Sequence, residues 1–477
     1  MLKAIFISAV ALGTALPAAR DDVDYAHVVE RLSFGARPAD IERARAIGLE
    51  RYIDEQLDPS RVNDDDAMRA RLARFETLDL SSSEMVARFY SRPPKDADAT
   101  QRDPQMRRQA GLPLLELSQQ KILRATYSDR QLEEVLVDFW FNHFNVFSGK
   151  GQFARFYLTE YEREAIRPHV LGRFRDMLGA TAESPAMLWY LDNWMSAAPS
   201  GGAATPEKRA RMRRPARMPA PARPQRPARG LNENYGRELL ELHTLGVDGG
   251  YSQEDVVNVA RAFTGWTIDA PRQGGGGFTF NARIHDRGEK VVLGQRIPAG
   301  GGREDGERVL DIVAAHPATA RHIAQKLATR FVSDTPPAAL VDRAAQVFRD
   351  TKGDLRAVTR AIVTSPEFLA PVARRAKVKT PFEFVVSALR VTGADVVNAA
   401  PLVQQLRTLG MPLYGAQPPT GYGDAAASWI NSGALLARMN FAVALSENQI
   451  PGSRVRTDDA KALALRLGSV EFQRREP

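Results

Sequence analysis

The chain has 477 residues, of which 44% are hydrophobic, 26% charged and 8% aromatic. At roughly 150 residues per domain, this length allows two or three domains or one large domain. The composition is typical of a soluble globular protein and excludes a wholly disordered chain. The absence of cysteine excludes a disulfide scaffold, Cys-ligated zinc, iron–sulfur clusters and a thiol nucleophile.

The chain begins with the pattern of a signal peptide. Lys3 is followed by an apolar run from Ala4 to Leu16, and the first acidic residues are Asp21 and Asp22. The run is too short to span a bilayer about 30 Å thick, and no stretch of about 18 apolar residues follows it. We therefore predict a signal peptide at residues 1–20, a periplasmic or secreted mature protein, and no membrane span after signal removal.

Most of the remaining chain shows the periodicity of amphipathic helices. It predicts a mainly α fold, a large multi-helix globular domain in two parts, residues 21–196 and 231–450, followed by a C-terminal tail at 451–477. The predicted helices are Pro38 to Leu57, Leu114 to Phe147, Phe153 to Ile166, Glu233 to Leu245, Gln253 to Phe263, Thr319 to Phe331, Pro337 to Phe348, Leu355 to Thr364, Pro381 to Thr392 and Trp429 to Ser446.

Residues 197–230 interrupt the helical pattern with an insertion rich in arginine and proline. The net charge of the whole chain is +8, and between Thr205 and Gly230 nine Lys and Arg side chains face one acid, Glu207. This composition predicts a disordered loop, either a solvated insertion or a contact for polyanions along Lys208 to Arg229. The insertion has no aromatic residue to stack on bases, so nucleic acid is not an expected partner.

A second departure from helical periodicity lies at Gly277 to Leu293. Apolar and polar residues alternate on both sides of Asp286-Arg287-Gly288, a turn-forming cluster. This pattern predicts one small β-hairpin insertion near 277–294. Glycine-rich runs at 274–277 and 300–302 flank it, so we expect the hairpin to stand off the helical body.

The predicted helix at 233–245 holds the largest set of ionisable groups. Glu238 and Glu241 lie about 60° apart around an α-helix and share a face. Such a pair can bind a divalent metal with ligands from other helices, or act in acid–base chemistry because its two pKa values split. His243 lies about 140° from Glu238. The alternative interpretation is structural, with an ion pair between Arg237 and Glu241 and a hydrogen-bonded core histidine.

A second histidine, His143, lies on an apolar helix stripe with Phe139. A polar stripe lies beside it, formed by Asp138, Asn142 and Asn145. If His143 and His243 approach each other with Glu238 between them, a metal site or a general base follows. The predicted ligands of a divalent metal are therefore Glu238, Glu241 and His143. The alternative is that His143 belongs to a buried hydrogen-bond network.

A third cluster, His285-Asp286, falls at the tip of the predicted hairpin. An exposed histidine beside an aspartate can gain basicity or bind a metal. The alternative is that Asp286 and Gly288 only form the turn.

Six segments carry a resemblance to a known family. They are RLSFGARPADI at 31–41, DFWFNHFNVF at 138–147, the run from NENYGRELLELHTL to ARAFTGWTI at 232–268, HDRGEKVVLG at 285–294, KTPFEFVVSALRVTG at 379–393 and SWINSGALLARMNFA at 428–442. With them the chain resembles the bacterial family catalogued as domain of unknown function 1800. That family has no established reaction. Its genes often lie beside those of exported proteins similar to sulfatases and alkaline phosphatases, and the resemblance implies a partner of that kind.

Two hypotheses of different class follow. In the first, the protein is an exported, metal-assisted hydrolase of the bacterial envelope, with Glu238, His143 and His243 at the site and His285 and Asp286 as accessory groups. In the second, it is a non-catalytic binding or assembly partner of an exported sulfatase- or phosphatase-like protein. The first hypothesis predicts that the histidines converge in the fold, and the second predicts that they are dispersed.

Overall fold

The computed structural model describes residues 20–90, 104–198, 230–270 and 275–475. The predicted signal peptide through residue 19 and residues 199–229 of the predicted insertion lie outside these ranges. The fold is mainly α, which confirms the predicted fold class. A single cluster of buried apolar side chains extends from Val28 to Phe472, so both predicted helical parts contribute to it. Within the described ranges, no helix is long and apolar enough to cross a membrane.

The helices are numbered in chain order. They are α1 Arg20–Leu32, α2 Pro38–Ile47, α3 Leu49–Leu57, α4 Asp65–Leu72, α5 Ser82–Phe89, α6 Pro104–Tyr127, α7 Gln131–His143, α8 Ala154–Glu160, α9 Phe174–Glu183, α10 Pro185–Tyr190, α11 Asn234–Glu238, α12 Gln253–Ala262, α13 Arg303–Ala314, α14 Pro317–Phe331, α15 Ala338–Asp350, α16 Leu355–Val363, α17 Pro366–Leu369, α18 Pro381–Val391, α19 Ala400–Thr408, α20 Ser432–Ser446 and α21 Ala460–Gly468. Two π-helices, π1 Tyr161–Ile166 and π2 Leu239–Thr244, continue α8 and α11 without a break.

Two of the long predicted helices are each divided in the structure. The helix predicted from Pro38 to Leu57 breaks at Gly48, whose φ of 86° favours glycine and ends α2. The helix predicted from Leu114 to Phe147 breaks between α6 and α7. There the Asp64 carboxylate accepts hydrogen bonds from the Ser128 hydroxyl and the Asp129 backbone N–H. These bonds hold the connecting turn, so a local glycine sets the first break and a tertiary contact sets the second.

The predicted hairpin has different strand pairing in the structure. Strand β2 (Phe278–Phe280) pairs with β1 (Trp266–Ile268), and β3 (Lys290–Val292) pairs with β4 (Gln295–Ile297), so the two predicted strands do not pair with each other. Each is antiparallel to a neighbour outside the predicted hairpin. A third pair joins β5 (Asp395–Val396) to β6 (Ser453–Arg454). The residues 277–294 therefore belong to two separate two-stranded sheets.

The predicted C-terminal tail is integrated into the fold. It supplies β6 and α21, and α21 packs against α20. Near its end, the buried Arg475 donates hydrogen bonds to the Arg330 carbonyl and the Glu383 carboxylate. The last described residues thereby tie α14 to α18.

Candidate functional site

A cavity of about 250 Å³ lies between α7, α14 and the segment at 411–424. Helix α7 presents His143 to it, α14 presents Lys326 and Arg330, and the segment presents Tyr414 and Tyr422. The cavity wall is thus assembled from parts of the chain that lie far apart in sequence. Polar and charged side chains make up most of the lining, and the aromatic rings of Phe139, Phe141, Tyr414 and Tyr422 lie among them.

The structure brings His143 close to His243. The Nε2 atom of His143 lies 3.1 Å from the His243 backbone oxygen, and the two ring centroids are 6.3 Å apart. A third ring, His322, lies 6.2 Å from His143 and bonds to the Leu242 carbonyl through its Nε2. Because a carbonyl only accepts, Nε2 of His143 carries a proton. Its Nδ1 is then a buried acceptor without a partner in the described structure.

All three of these imidazoles are held neutral. Burial is the largest cause in each case and the positive charge of Lys326 is the second. Together they lower the pKa of His243 to about 3 and that of His322 to about 4, and they lower the pKa of His143 well below its ordinary value. The three rings therefore add no positive charge to this region at neutral pH.

A π-helix sets the position of His243. The Leu245 N–H donates to the Leu240 carbonyl at 2.9 Å, and the Thr244 hydroxyl donates to the Leu239 carbonyl at 2.6 Å. Both bonds join residues five apart, whereas the sequence analysis assumed the angular spacing of an α-helix. The wider turn carries His243 inward, where it is 2% exposed. Single π-turns within helices are frequent at functional sites.

Glu238 and Glu241 are neighbours, and both are partly buried. Burial, and then the charge of Glu241, raise the pKa of Glu238. The structural alternative predicted an ion pair between Arg237 and Glu241, and this pairing is wrong. Arg237 instead lies 3.6 Å from the Glu233 carboxylate, and Glu241 accepts a hydrogen bond from the Tyr251 hydroxyl. Among the described residues, no group of three or more His, Asp or Glu side chains is arranged to hold a metal ion. The three predicted ligands, Glu238, Glu241 and His143, are thus not gathered into one metal site.

His285 is not exposed at a hairpin tip, and this prediction is wrong. The residue is 6% exposed, its Nδ1 lies 2.7 Å from the Thr264 carbonyl oxygen, and its Nε2 lies 3.2 Å from the Asp305 carboxylate. The ammonium of Lys290 binds the same carboxylate oxygen at 2.7 Å. His285 is buried because the segment does not stand off the helical body: β3 packs on α12, β4 on α13 and β1 on α10.

Asp286 is likewise committed to structure. It forms a two-pronged ion pair with Arg261 and accepts the Gly288 N–H at 2.8 Å, which matches the turn interpretation. These bonds, with Arg261 foremost, lower the pKa of Asp286 against the effect of its burial. The pair His285-Asp286 is therefore part of a hydrogen-bonded support for the strands, apart from the residues that line the cavity around His143.

Lys326, which sequence reasoning missed, is the cation without a counter-ion in the cavity wall. Lys121 pairs with Asp138 at 2.9 Å, and Arg330 pairs with Glu383 at 2.5 Å. In the described structure Lys326 makes no ion pair. Its burial lowers its pKa from 10.5 to about 8, against the opposing attraction of the more distant Asp424.

A signal for this lysine was present in the sequence. His322, Lys326 and Arg330 recur at intervals of four within a predicted helix, so three basic groups share one face. Such a run is usually a solvated face, and periodicity alone does not distinguish it from a buried one. The structure buries Arg330 and partly buries Lys326 and His322.

The motif around His143 also holds the outer wall of the cavity. The Asn142 amide donates to the Tyr422 carbonyl and accepts from the Tyr422 N–H, both at 2.7 Å. The Asn145 amide donates to the carbonyls of Ala416 and Pro418 at 3.0 and 2.9 Å. These bonds fasten the segment at 411–424, which we call the cover segment, over the cavity. Asn142 and Asn145 thereby fix the position of this part of the cavity wall.

Glycine is required in the cover segment at one point. Gly421 has φ of +70°, and a Cβ atom there would lie 2.4 Å from the Asn142 backbone oxygen. Both the left-handed backbone and the lack of space exclude a larger residue. The close approach lets the neighbouring Tyr422 backbone meet the Asn142 amide.

Charged side chains in and behind the cavity wall form an ionic network, which includes Arg330 and Asp424 of the wall. Lys377 pairs with Asp334 at 2.5 Å and with Asp424 at 3.1 Å. Arg475 pairs with Asp424 at 3.0 Å and with Glu383 at 2.7 Å, and so links the two acids. Arg330 and Arg475 lower the pKa of Glu383 to about 2 despite its burial. Every acid of this network already has a basic partner, which leaves Lys326 without one.

The fold and the cavity define a mainly helical protein with a neutral histidine cluster beside one uncompensated lysine. A family model described as a protein of unknown function (DUF1800) matches residues 27–475. The match covers nearly the whole chain, so the protein belongs to this family and the resemblance inferred from the motifs is confirmed. No curated protein and no solved structure was found to match the chain.

Proposed function

We propose that the cavity beside His143 is a binding site for a small molecule with an anionic group, and that Lys326 binds this group. The observation that carries the proposal is the unpaired amine of Lys326 in a wall whose other charges are paired. A partly buried charge without a partner is less stable than a paired one, and a ligand anion supplies the missing counter-charge. Neutral His143 and the Asn142 and Asn145 amides line the cavity beside it, and its other charged side chains are paired.

The same amine is suited to acid–base chemistry. With a pKa of about 8, Lys326 exists in both protonation states near neutral pH, which is the condition for efficient proton transfer. We therefore extend the proposal to an enzyme, a hydrolase in which the Lys326 ammonium that holds the anionic group donates its proton to the leaving group. This version replaces the three-ligand metal centre predicted from the sequence. Export to the periplasm or beyond remains part of the proposal, on the signal-like pattern at residues 1–20.

The test is anion binding to the purified protein and to two variants. Inorganic phosphate, sulfate and acetate are titrated at pH 7 while the unfolding temperature and the heat of binding are recorded. Lys326→Met removes the cavity charge with little change of volume, and Lys352→Met removes an exposed charge as the matched control. We expect at least one anion to bind and stabilise the wild type and the control, with at least ~10-fold weaker binding to Lys326→Met. Equal binding to Lys326→Met and the wild type, or no binding to either, contradicts the proposal.

The charge distribution favours the non-catalytic function as a second candidate. Its support is the run of nine basic side chains between Lys208 and Arg229, which lies outside the described residues. We propose that this run contacts a polyanion or an exported sulfatase- or phosphatase-like partner. Deleting residues 205–229 tests it, because the deletion should abolish retention on immobilised heparin at 0.15 M salt. Unchanged retention would assign the charge contact to another surface.

A further inference from the structure

Helix α20 presents an apolar face to solvent. Its fifteen residues include one ionisable side chain, Arg438, and this side chain is buried, where it donates to the Lys379 carbonyl and the Gln473 amide oxygen. The outward positions Leu435, Leu436, Met439 and Val443 are 45, 60, 48 and 43% exposed. Surface helices of globular proteins normally direct charged or polar residues to water. This face therefore lacks the chemistry of a solvated surface.

The face continues into a groove of about 380 Å³. Ile430, Leu435 and Val470 line the groove. Its far wall comes from the C-terminal segment, and Gly468 of α21 lies beside Met439, so the helix face and the groove are continuous. We call this surface the apolar patch, and its exposed members are Ile430, Leu435, Leu436, Met439, Val443, Leu465 and Val470.

We propose that the apolar patch binds the apolar patch of a second copy of this chain, across a twofold axis. A twofold interface must be self-complementary, and the patch holds both a groove and the protruding side chains of Leu436 and Met439 that a groove accepts. None of its seven members is ionisable, and the two arginines that line the groove, Arg438 and Arg474, donate hydrogen bonds within the chain. Their exposed area is on the order of the ~800 Å² that each partner buries in a standard interface.

The charges around the patch favour a second copy over a lipid surface. The exposed acids Glu447, Asp458, Asp459 and Glu471 are interspersed with the exposed bases Arg454, Arg456, Lys461 and Arg466. An anionic membrane attracts clustered cations and is repelled by these acids. Two copies related by a twofold axis can instead place acids opposite bases at the rim of the interface. This inference does not depend on the function proposed for the cavity.

Sedimentation velocity and cysteine cross-linking test the proposal directly. The purified full chain and two variants are sedimented at concentrations from ~1 to ~100 µM. Leu436→Glu places two like charges in the twofold interface. Val247→Glu is the control, because Val247 is an exposed apolar residue outside the patch. Because the chain has no cysteine, Met439→Cys and the control Val247→Cys each carry a single thiol. Mild oxidation then shows at which position the thiols of two copies lie close enough to form a disulfide.

We expect a concentration-dependent dimer for the wild type and for Val247→Glu, and at least ~100-fold weaker dimerisation for Leu436→Glu. Disulfide-linked dimer should form faster from Met439→Cys than from Val247→Cys. A monomer at ~100 µM, or a dimer that Leu436→Glu does not weaken, overturns the proposal. Co-sedimentation of monomeric protein with phosphatidylglycerol vesicles, lost in Leu436→Glu, would assign the patch to a lipid surface and also overturn it.

Discussion

Replacing Lys326 by methionine should stabilise the protein at neutral pH. Burial lowers the pKa of Lys326 from 10.5 to about 8 in the folded protein. The folded state therefore binds this proton less tightly than the unfolded state does, and each pKa unit corresponds to about 1.4 kcal/mol. The shift predicts a cost of roughly 3 kcal/mol at pH 7, which methionine removes while it keeps a chain of similar size.

The pH dependence distinguishes this explanation from a general packing effect. The cost is fully present below pH 8, where Lys326 is charged in both states. It disappears as the pH rises toward 10.5, because the amine then loses its proton in the unfolded state as well. The stability advantage of Lys326→Met should therefore be largest at pH 7 and small at pH 10.

Urea unfolding at pH 7 and pH 10 measures both quantities, with Lys352→Met as the exposed control. The reasoning is refuted if Lys326→Met is less stable than the wild type at pH 7, or if its advantage is the same at both pH values. A stabilising substitution that abolishes anion binding would show that the protein retains an unfavourable charge for its function.

Four further predictions concern the cavity and its surroundings. Asn142→Ala removes two hydrogen bonds to Tyr422, so unfolding should become easier by ~2 kcal/mol and hydrogen exchange in the cover segment should accelerate, whereas exposed Asn440→Ala should change neither. Arg475→Met leaves buried Glu383 and Asp424 with one cation fewer, and should lower the free energy of unfolding by ~3 kcal/mol, more than the control Arg474→Met. The pKa of Glu383 is lowered from 4.5 to about 2, so the stability that Glu383 contributes is present above pH 4.5 and is lost as the pH falls toward 2. Acid titration followed by circular dichroism should record this loss, and the loss should begin at a higher pH in Arg475→Met. Treatment with EDTA should leave the unfolding temperature unchanged, because the described residues hold no three-ligand cluster, and a drop of several degrees would contradict this.

The helical elements followed from the sequence because amphipathic periodicity is a local property. The run from 131 to 147 predicted a helix with His143 on its apolar face, and the structure buries His143 at the end of α7. Element ends were less predictable. The helix predicted from 114 to 147 breaks where Asp64, far away in sequence, holds the turn at Ser128 and Asp129. No local pattern encodes that contact.

The strand region shows the same division between local and remote information. Alternation at 277–293 correctly indicated short strands, but pairing depends on which segments meet. Phe278–Phe280 found its partner at Trp266–Ile268, upstream of the predicted hairpin. His285 was buried as a result, against the exposed position that the hairpin implied.

The sequence by itself determined the fold class, the family and the two histidine motifs, because periodicity and short motifs are written along a continuous stretch of chain. The tertiary structure decided the chemistry of the cavity. It placed His243 inward through a π-turn, joined His143 to it, and gave Lys121 and Arg330 acidic partners while leaving Lys326 without one. The physical reason is that the pKa of Lys326 depends on burial and on distances to charges from remote segments. Those distances exist only once α7, α14 and the cover segment have packed together.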